Sequence, residues 1–306
     1  MSPAYQPNHR LNSAYHGRFA PSPTGPLHAG SFLTAVASYL DARSQKGFWH
    51  LRIDDLDSAR NIDSATTGIL EILESAGLTW DGPVFYQSQQ IEKYRDAIAT
   101  LDRKALLYAC TCSRKDLNQI AASSSNAQIY PGYCRDRKQN LSASHAIRIR
   151  TNGASIGFSD NIQGYFKQNL ENEVGDFILL RRDGVFAYQL AVVIDDASQR
   201  ITRIVRGIDL IESTPRQIYL RSLLGLPEPE YCHVPLVVNR HGIKLSKQNG
   251  ARAVRQAELS RVIFEALSRL RQIPPLELQN APPKDLLRWG IENWNLGNLA
   301  GTQTVS

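Results

Sequence analysis

Two rhythms of apolar and polar positions share the first hundred residues. His16 to Ala20 and residues 48–53 (Phe-Trp-His-Leu-Arg-Ile) read as short strands, whereas Phe32, Leu33, Ala35, Val36, Tyr39 and Leu40 recur at helical spacing and predict a helix over 30–46. Helices over 63–76 and 89–105 follow, the second ending in a basic turn. Strand, helix, strand, helix is the α/β signature. From Cys110 to Asp183 the alternation breaks: Arg148-Ile149-Arg150 alternates like an edge strand, 176–181 reads as another, and the stretch is expected to be an α+β insert. Alternation resumes with a strand over 188–194 (Tyr-Gln-Leu-Ala-Val-Val-Ile), a helix near 197, a strand over 201–206, a helix over 212–224 and a strand over 233–238. Beyond Gly250, Leu259, Val262, Ile263, Ala266, Leu267 and Leu270 line one helix face, and Leu286, Leu287, Trp289 and Trp294 line another, which predicts a short helical C-terminal subdomain.

A chain of 306 residues with 42% apolar composition can bury two modest cores, and disorder is not indicated. No segment approaches the ~18 consecutive apolar residues of a membrane span. The first fourteen residues, with Pro3, Pro7, Asn8, His9 and Arg10, lack the apolar core of a signal peptide, so a cytoplasmic protein is expected. No heptad or broad exposed apolar pattern asks for a partner copy, and a monomer is expected. The net charge of +6 is unevenly spread: residues 1–100 hold 8 basic and 10 acidic side chains, 101–150 hold 9 and 3, and 201–306 hold 14 and 9. A balance of +6 alone describes an ordinary solvated surface; its localisation fits a polyanion lying across the second and last parts of the chain.

Two segments carry phosphate chemistry. Arg18-Phe19-Ala20-Pro21-Ser22-Pro23-Thr24-Gly25-Pro26-Leu27-His28-Ala29-Gly30-Ser31 runs from a strand through a Pro/Gly-rich turn into a helix. Unpaired N–H groups and the positive end of the dipole at such a helix start suit a phosphate; Gly30 permits close approach, and His28 can donate to a phosphate oxygen. More than two hundred residues later, Lys244-Leu245-Ser246-Lys247 follows the turn Asn239-Arg240-His241-Gly242 and places two ammonium groups on one loop. Either segment alone is an ordinary surface loop or solvated Lys pair. Together they describe a nucleotide site.

Three of the four cysteines, Cys110, Cys112 and Cys134, lie within 25 residues of one another. Outside an oxidising compartment this spacing reads as zinc before disulfide, with buried free thiols as the plain alternative. A tetrahedral site needs a fourth ligand, for which His145, Cys232 and the neighbouring tyrosines are candidates.

These segments resemble class I aminoacyl-tRNA synthetases of the glutamyl type. Arg18 to Gly25 is similar to the family's amino-acid-binding opening, His28-Ala29-Gly30-Ser31 to its H-x-G-H motif, and Lys244-Leu245-Ser246-Lys247 to its K-M-S-K motif with Leu for Met. Arg52 to Asp57, Ala187 to Asp196 and Val205 to Leu210 add further matches, so the resemblance spans about residues 15–250. It implies a Rossmann-type nucleotide-binding domain in two halves, 15–107 and 187–240, split by a zinc-containing, acceptor-binding-like insert at 108–186 and followed by the K-x-S-K loop and helical subdomain at 241–306. Only 59 residues follow Lys247, too few for the helical anticodon-reading domains of a full glutamyl enzyme. That shortness and the cysteine cluster point to the glutamyl-Q branch, which attaches glutamate to the queuosine base in the anticodon of tRNA(Asp).

The resemblance implies site roles residue by residue. His28, Lys244 and Lys247 would act on the ATP phosphates, with Gly30 at the nucleotide and Mg2+ accompanying it. Arg18, Phe19, Ala20, Pro21, Ser22, Asp54, Tyr188 and Arg206 would form the L-glutamate pocket, Arg18 and Arg206 meeting carboxylate. Asp54 stands where the family usually has Glu, one methylene longer, and Asp here also resembles the glutaminyl branch; Arg206 favours a carboxylate over an amide. Tyr130, four residues before Cys134, would complete one structural Zn2+ site with Cys110, Cys112 and Cys134. Two other functions are carried beside this one: a short synthetase charging a tRNA 3′ end, and a non-catalytic RNA-binding module.

Overall fold

The computed structural model describes residues 14–113, 115–117, 129–137, 141, 145–239, 241–244 and 252–306. β1 (His16–Phe19) runs parallel to β2 (Phe48–Ile53), and β2 to β3 (Phe85–Tyr86). Parallel neighbours need a crossover, supplied by α1 (Ala29–Ser44) between β1 and β2 and by α2 (Asp63–Ala76) between β2 and β3. α1 is apolar on most of its circumference because it is covered on several sides. Trp49 of β2 is fully buried beneath it, edge-on to Tyr39 at 5.2 Å, with its indole N–H donating to Ser38 Oγ at 3.0 Å.

α3 (Ile91–Arg103) leads into an antiparallel sheet of β4 (Leu107–Cys110), β5 (Ala146–Ile149) and, later, β8 (Ile178–Leu180), in the order β4-β5-β8. The strand at Arg148 is therefore central, not the edge strand its alternating charge suggested. Arg148 is tolerated inside because its guanidinium donates to the Asp176 carbonyl at 2.6 Å and lies 3.8 Å from the centre of the Tyr130 ring. Between β5 and β8 the hairpin β6 (Ser155–Asp160) and β7 (Gly164–Asn169) and the single turn α4 (Leu170–Glu173) leave this sheet. β6 instead joins β10 (Glu230–Val234), which pairs along its whole length with β9 (Arg203–Gly207). Thr202 N–H donates to the His16 carbonyl at 2.9 Å, which sets β9 beside β1.

The apolar run expected as a strand over 188–194 is α5 (Tyr188–Ser198), a helix that also takes in the one expected near 197. The five consecutive apolar residues 190–194 suit a strand and a buried helix equally, and burial on several sides, with Leu190, Ala191, Val192, Val193, Asp195 and Asp196 all inside, decided for the helix. α6 (Thr214–Leu224) ends at Gly225, whose φ of 68° is the left-handed C-cap that glycine adopts without strain. A short parallel pair then joins β11 (Leu236–Val237) to β12 (Thr304–Val305) near the chain end. α7 (Leu259–Arg269) and α8 (Pro283–Asn293) pack on α1 within the main core, and a Cβ at Gly290 would meet Leu267 and Leu40 at 3.0 Å, so glycine sets the helix spacing. A second core joins α3, β5, α5 and α6 through Tyr94, Ile147, Leu190 and Leu220. Among the described residues, no helix is long and apolar enough to cross a membrane.

Candidate active site

The carboxyl ends of β1 and β9 and the start of α1 surround a cavity of about 540 Å³, where an α/β sheet is expected to bind its ligand. Every residue proposed from sequence for the amino-acid pocket lines it: Arg18, Phe19, Ala20, Pro21, Ser22, Asp54, Tyr188 and Arg206. His28, Gly30 and Lys244 line it as well, while Lys247 and Ser246 lie outside the described residues. The turn after β1 is fixed by its own backbone: Thr24 N–H donates to the Ser22 carbonyl at 2.8 Å, and Asp54 N–H to the Pro21 carbonyl at 2.9 Å.

At one end of the cavity sits a buried charge cluster. Asp196 of α5 accepts from Arg18 Nε at 3.2 Å and Arg52 Nη1 at 2.7 Å, with Arg221 Nη2 at 3.5 Å on its other oxygen. Burial alone would raise the Asp196 carboxyl, yet Arg18, Arg52 and Arg221 bring it down to about 2. Arg52 Nε reaches Asp54 at 2.7 Å. Burial raises the Asp54 carboxyl above its ordinary range, against the pull of Arg52 and Arg18. Arg52 Nη2 and Arg206 Nη1 are buried without a hydrogen-bond partner, and both side chains line the cavity. Such N–H groups are costly unless a ligand oxygen meets them.

Arg206 is aimed by a relay. Its Nε donates to His233 Nε2 at 3.1 Å and its Nη2 to Thr214 Oγ1 at 2.8 Å, while His233 Nδ1 donates to Asp160 at 2.6 Å. Burial, outweighing Asp160, lowers the His233 pKa, so the ring is neutral and its Nε2 lone pair accepts from Arg206. At the other end of the cavity, His28 is the N-cap of α1 and its Nδ1 accepts from Ser31 N–H at 3.3 Å. The chain beyond Lys247 returns to this point: Ala253 bridges His28, and Val254 N–H donates to the Leu27 carbonyl at 2.9 Å. The first segment and Lys244 of the second therefore border one cavity. Lys244 Nζ meets Asp209 at 2.5 Å on the rim.

Residues 15–273 match the family model of tRNA synthetases class I (E and Q), catalytic domain. The glutamyl-Q tRNA(Asp) synthetase of Ectopseudomonas mendocina (strain ymp) is 48% identical over 301 residues, covering 97% of this chain and 98% of that protein. The chain belongs to this family. The glutamyl-Q tRNA(Asp) synthetase of Thiobacillus denitrificans is likewise 48% identical, over 92% of this chain and 94% of its own length. The crystal structure of glutamate-tRNA synthetase from Elizabethkingia anophelis has the same fold, with a TM-score of 0.79, 24% identity and coverage of 96% of this chain and 68% of that one.

The second cluster, 110–134, holds donors of a different kind. The Cys110, Cys112 and Cys134 sulfurs lie within 4.8 Å of one another, with Cys112 Sγ 3.6 Å from Cys134 Sγ. The Tyr130 hydroxyl is 3.4 Å from Cys110 Sγ and 3.7 Å from Cys112 Sγ. Zinc–sulfur bonds of about 2.3 Å in a tetrahedron set ligands roughly 3.5–3.8 Å apart, and the separations of 3.4, 3.6 and 3.7 Å are compatible with that ion. Cys232 is elsewhere, buried in the main core. Burial opposes ionisation of Cys134, but hydrogen bonds with Tyr130 and Thr111 bring it to about 6.

Sequence reasoning missed Arg221, Thr214, His233 and Asp160, and matched Arg52 and Asp196 without giving them a role. The Ile194-Asp195-Asp196 run was the one available signal, since two consecutive acids in an apolar helix imply buried partners. His233 and Asp160 are 73 residues apart, and neither stands in a recognisable motif.

Proposed function

We propose that the chain activates glutamate with ATP and transfers it to the queuosine base of tRNA(Asp). A glutamate carboxylate oxygen attacks the α-phosphorus, the new O–P bond forms as the bond to the bridging oxygen breaks, and pyrophosphate leaves with that electron pair. A hydroxyl of the modified base then attacks the acyl carbon, and AMP leaves. The observation that carries the reading is the pair of unpartnered, buried guanidinium N–H groups of Arg52 and Arg206 beside the Asp54 carboxylate. That set matches a ligand with carboxylates and one ammonium.

In this reading Arg206 and Arg18 hold carboxylate, with Tyr188 at the rim, and Asp54 faces the ammonium, whose charge would draw its raised pKa back down. Phe19, Ala20, Pro21 and Ser22 shape the wall. His28 and Lys247, helped by Lys244, hold the phosphates as charge builds on them, and the start of α1 near Gly30 adds its dipole. Mg2+ neutralises part of the triphosphate charge when bound. Catalysis rests on positioning and charge stabilisation, with no covalent enzyme intermediate. Residues 15–107 and 187–240 serve as the two halves of the nucleotide-binding domain, 108–186 as the acceptor-binding-like insert, and 241–306 as loop and helical support. Zinc held by Cys110, Cys112, Tyr130 and Cys134 would fix the segment after β4.

The test is transfer of radiolabelled glutamate to tRNA(Asp) with and without queuosine, each with its 3′-terminal adenosine intact or removed. Label that requires queuosine and survives removal of the adenosine is expected. Label that requires the adenosine would make the chain a 3′-end charging enzyme, and absence of glutamate-dependent ATP–pyrophosphate exchange would make it a non-catalytic module.

A further inference from the structure

A second cavity, of about 370 Å³, lies between the active-site cavity and the cysteine cluster. Its walls come from β5, β7, α6 and the segment around Tyr130. Three of its side chains carry buried polar atoms with no partner: Arg148 Nε, Gln168 Oε1 and Arg216 Nε. Arg148 is 6% and Gln168 8% exposed, so both side chains are more than nine-tenths buried. An unmet buried donor or acceptor is costly, and three of them belong to side chains that line this one cavity.

The chemistry of the lining selects the ligand class. Two donors and one acceptor stand among apolar walls that include Ile129, Pro131 and Phe177, while the carboxylates of Glu173 and Glu212 border the same space. Those carboxylates and the Gln168 carbonyl disfavour a phosphate, and the donors disfavour a purely apolar group. A nucleobase offers what remains: flat faces for the apolar walls and an edge carrying both donors and acceptors, as in proteins that splay single-stranded bases into pockets. The cavity is also placed for it. Arg216 Nη2 donates to Ser213 Oγ at 3.2 Å, and Ser213 Oγ accepts from Gln189 at 3.0 Å, next to Tyr188 on the active-site wall.

We infer that this cavity receives an unstacked nucleobase of the acceptor RNA, neighbouring the nucleotide that is glutamylated. The inference rests on the function proposed above and names a specificity site for it. Gln168 and Arg216 read the base edge, Arg148 closes the inner wall, and adenylate formation does not require the pocket to be filled.

The test uses the full chain and an anticodon stem–loop of tRNA(Asp), with fluorescence anisotropy for affinity and ATP–pyrophosphate exchange as the control for a folded active site. The loop nucleotides are made abasic one at a time. Gln168→Leu and Arg216→Met are each expected to bind the parent RNA roughly 10-fold more weakly. One abasic position should weaken the wild type by a similar factor and leave the variants indifferent. The inference is overturned if both variants bind the parent RNA as the wild type does, if they remain as sensitive as the wild type at every abasic position, or if the wild type binds no stem–loop. Failure of the proposed function itself shows differently, as a wild-type chain that performs no glutamate-dependent exchange.

Discussion

Two buried polar clusters stabilise this chain by opposite means. Beneath the active-site cavity, Arg18, Arg52, Arg221, Asp54 and Asp196 bring both signs of charge together, so the cluster is largely satisfied by its own members. Around Cys134, three thiols and a phenol converge in hydrogen-bonding contact, Cys110 Sγ donating to the Tyr130 hydroxyl at 3.4 Å. The first cluster leaves Arg52 Nη2, Arg221 Nε and Asp196 Oδ2 without a hydrogen bond, and only Arg52 of these lines the cavity; the second has the geometry of a site that a cation could complete. The difference teaches what each cluster is made of: the first balances fixed charges of both signs, whereas the second gathers donors of one kind that a cation could join.

The most damaging way to break the charge cluster is Asp196→Asn. The amide keeps the shape and removes the anion that three guanidiniums share, taking the ion pair from Arg18 and Arg221 and leaving Arg52 with Asp54 alone. Urea denaturation should show a loss of about 3–5 kcal/mol. A variant within 1 kcal/mol of the wild type would mean that this cluster is more solvated than its burial indicates.

Asp195, the next residue on α5, sharpens the same contrast. It faces Tyr94 and Gln87, which donate to it at 2.8 and 2.7 Å, and burial, outweighing these and Arg52, pushes its carboxyl up to about 7 from 3.8. Because the folded pKa is raised, the native state holds this proton at pH values where the unfolded chain has released it. The group's contribution to stability is therefore greatest near pH 4 and is lost as the pH rises toward 7. Asp195→Asn removes this dependence and should gain on the wild type by about 3 kcal/mol between pH 4 and 8. Parallel stability curves for the two proteins would refute the assignment.

For the cysteine cluster, the purified protein should carry about one zinc per chain, and Cys134→Ser should reduce metal content to background. Loss of the cation should cost roughly 2 kcal/mol, seen as a fall of about 5 °C in Tm. Exchange with glutamate should persist, since the cavity residues lie on other elements. Unchanged zinc content in the variant would leave the cluster as buried thiols.

The two clusters also differ in how far the sequence disclosed them. Cys110, Cys112 and Cys134 are close along the chain, and a spacing rule finds them, while Tyr130 was named by the resemblance alone. The turn from Arg18 to Ser31 was similarly legible because strand, turn and helix follow one another locally. Arg18 and Asp196 are 178 residues apart and Arg52 and Asp196 are 144, and no local pattern says which distant acid answers which buried arginine. The same limit explains the misread secondary structure. Residues 190–193 are apolar because α5 is covered on several sides, and residues 148–150 alternate although both edges of β5 are paired, since the Tyr130 ring and a carbonyl accommodate Arg148.

The smallest of these effects tests how finely the charge cluster is built. Arg206 spends two of its three nitrogens on His233 and Thr214 and presents Nη1 to the cavity. Arg206→Lys keeps the charge, but an ammonium cannot donate to His233, to Thr214 and to a ligand along the same fixed directions. Stability should change little, while kcat/KM for glutamate in exchange should fall roughly tenfold, about 1.4 kcal/mol. The loss should lie mainly in KM, because the lysine still neutralises a carboxylate once it is bound. An equal loss in Thr214→Val, which leaves Arg206 in place but removes one of its two anchors, would show that the direction of the guanidinium matters as much as its charge. If Arg206→Lys behaves as the wild type, the cavity requires only a positive charge at this position, and the Asp160–His233 relay serves the fold alone.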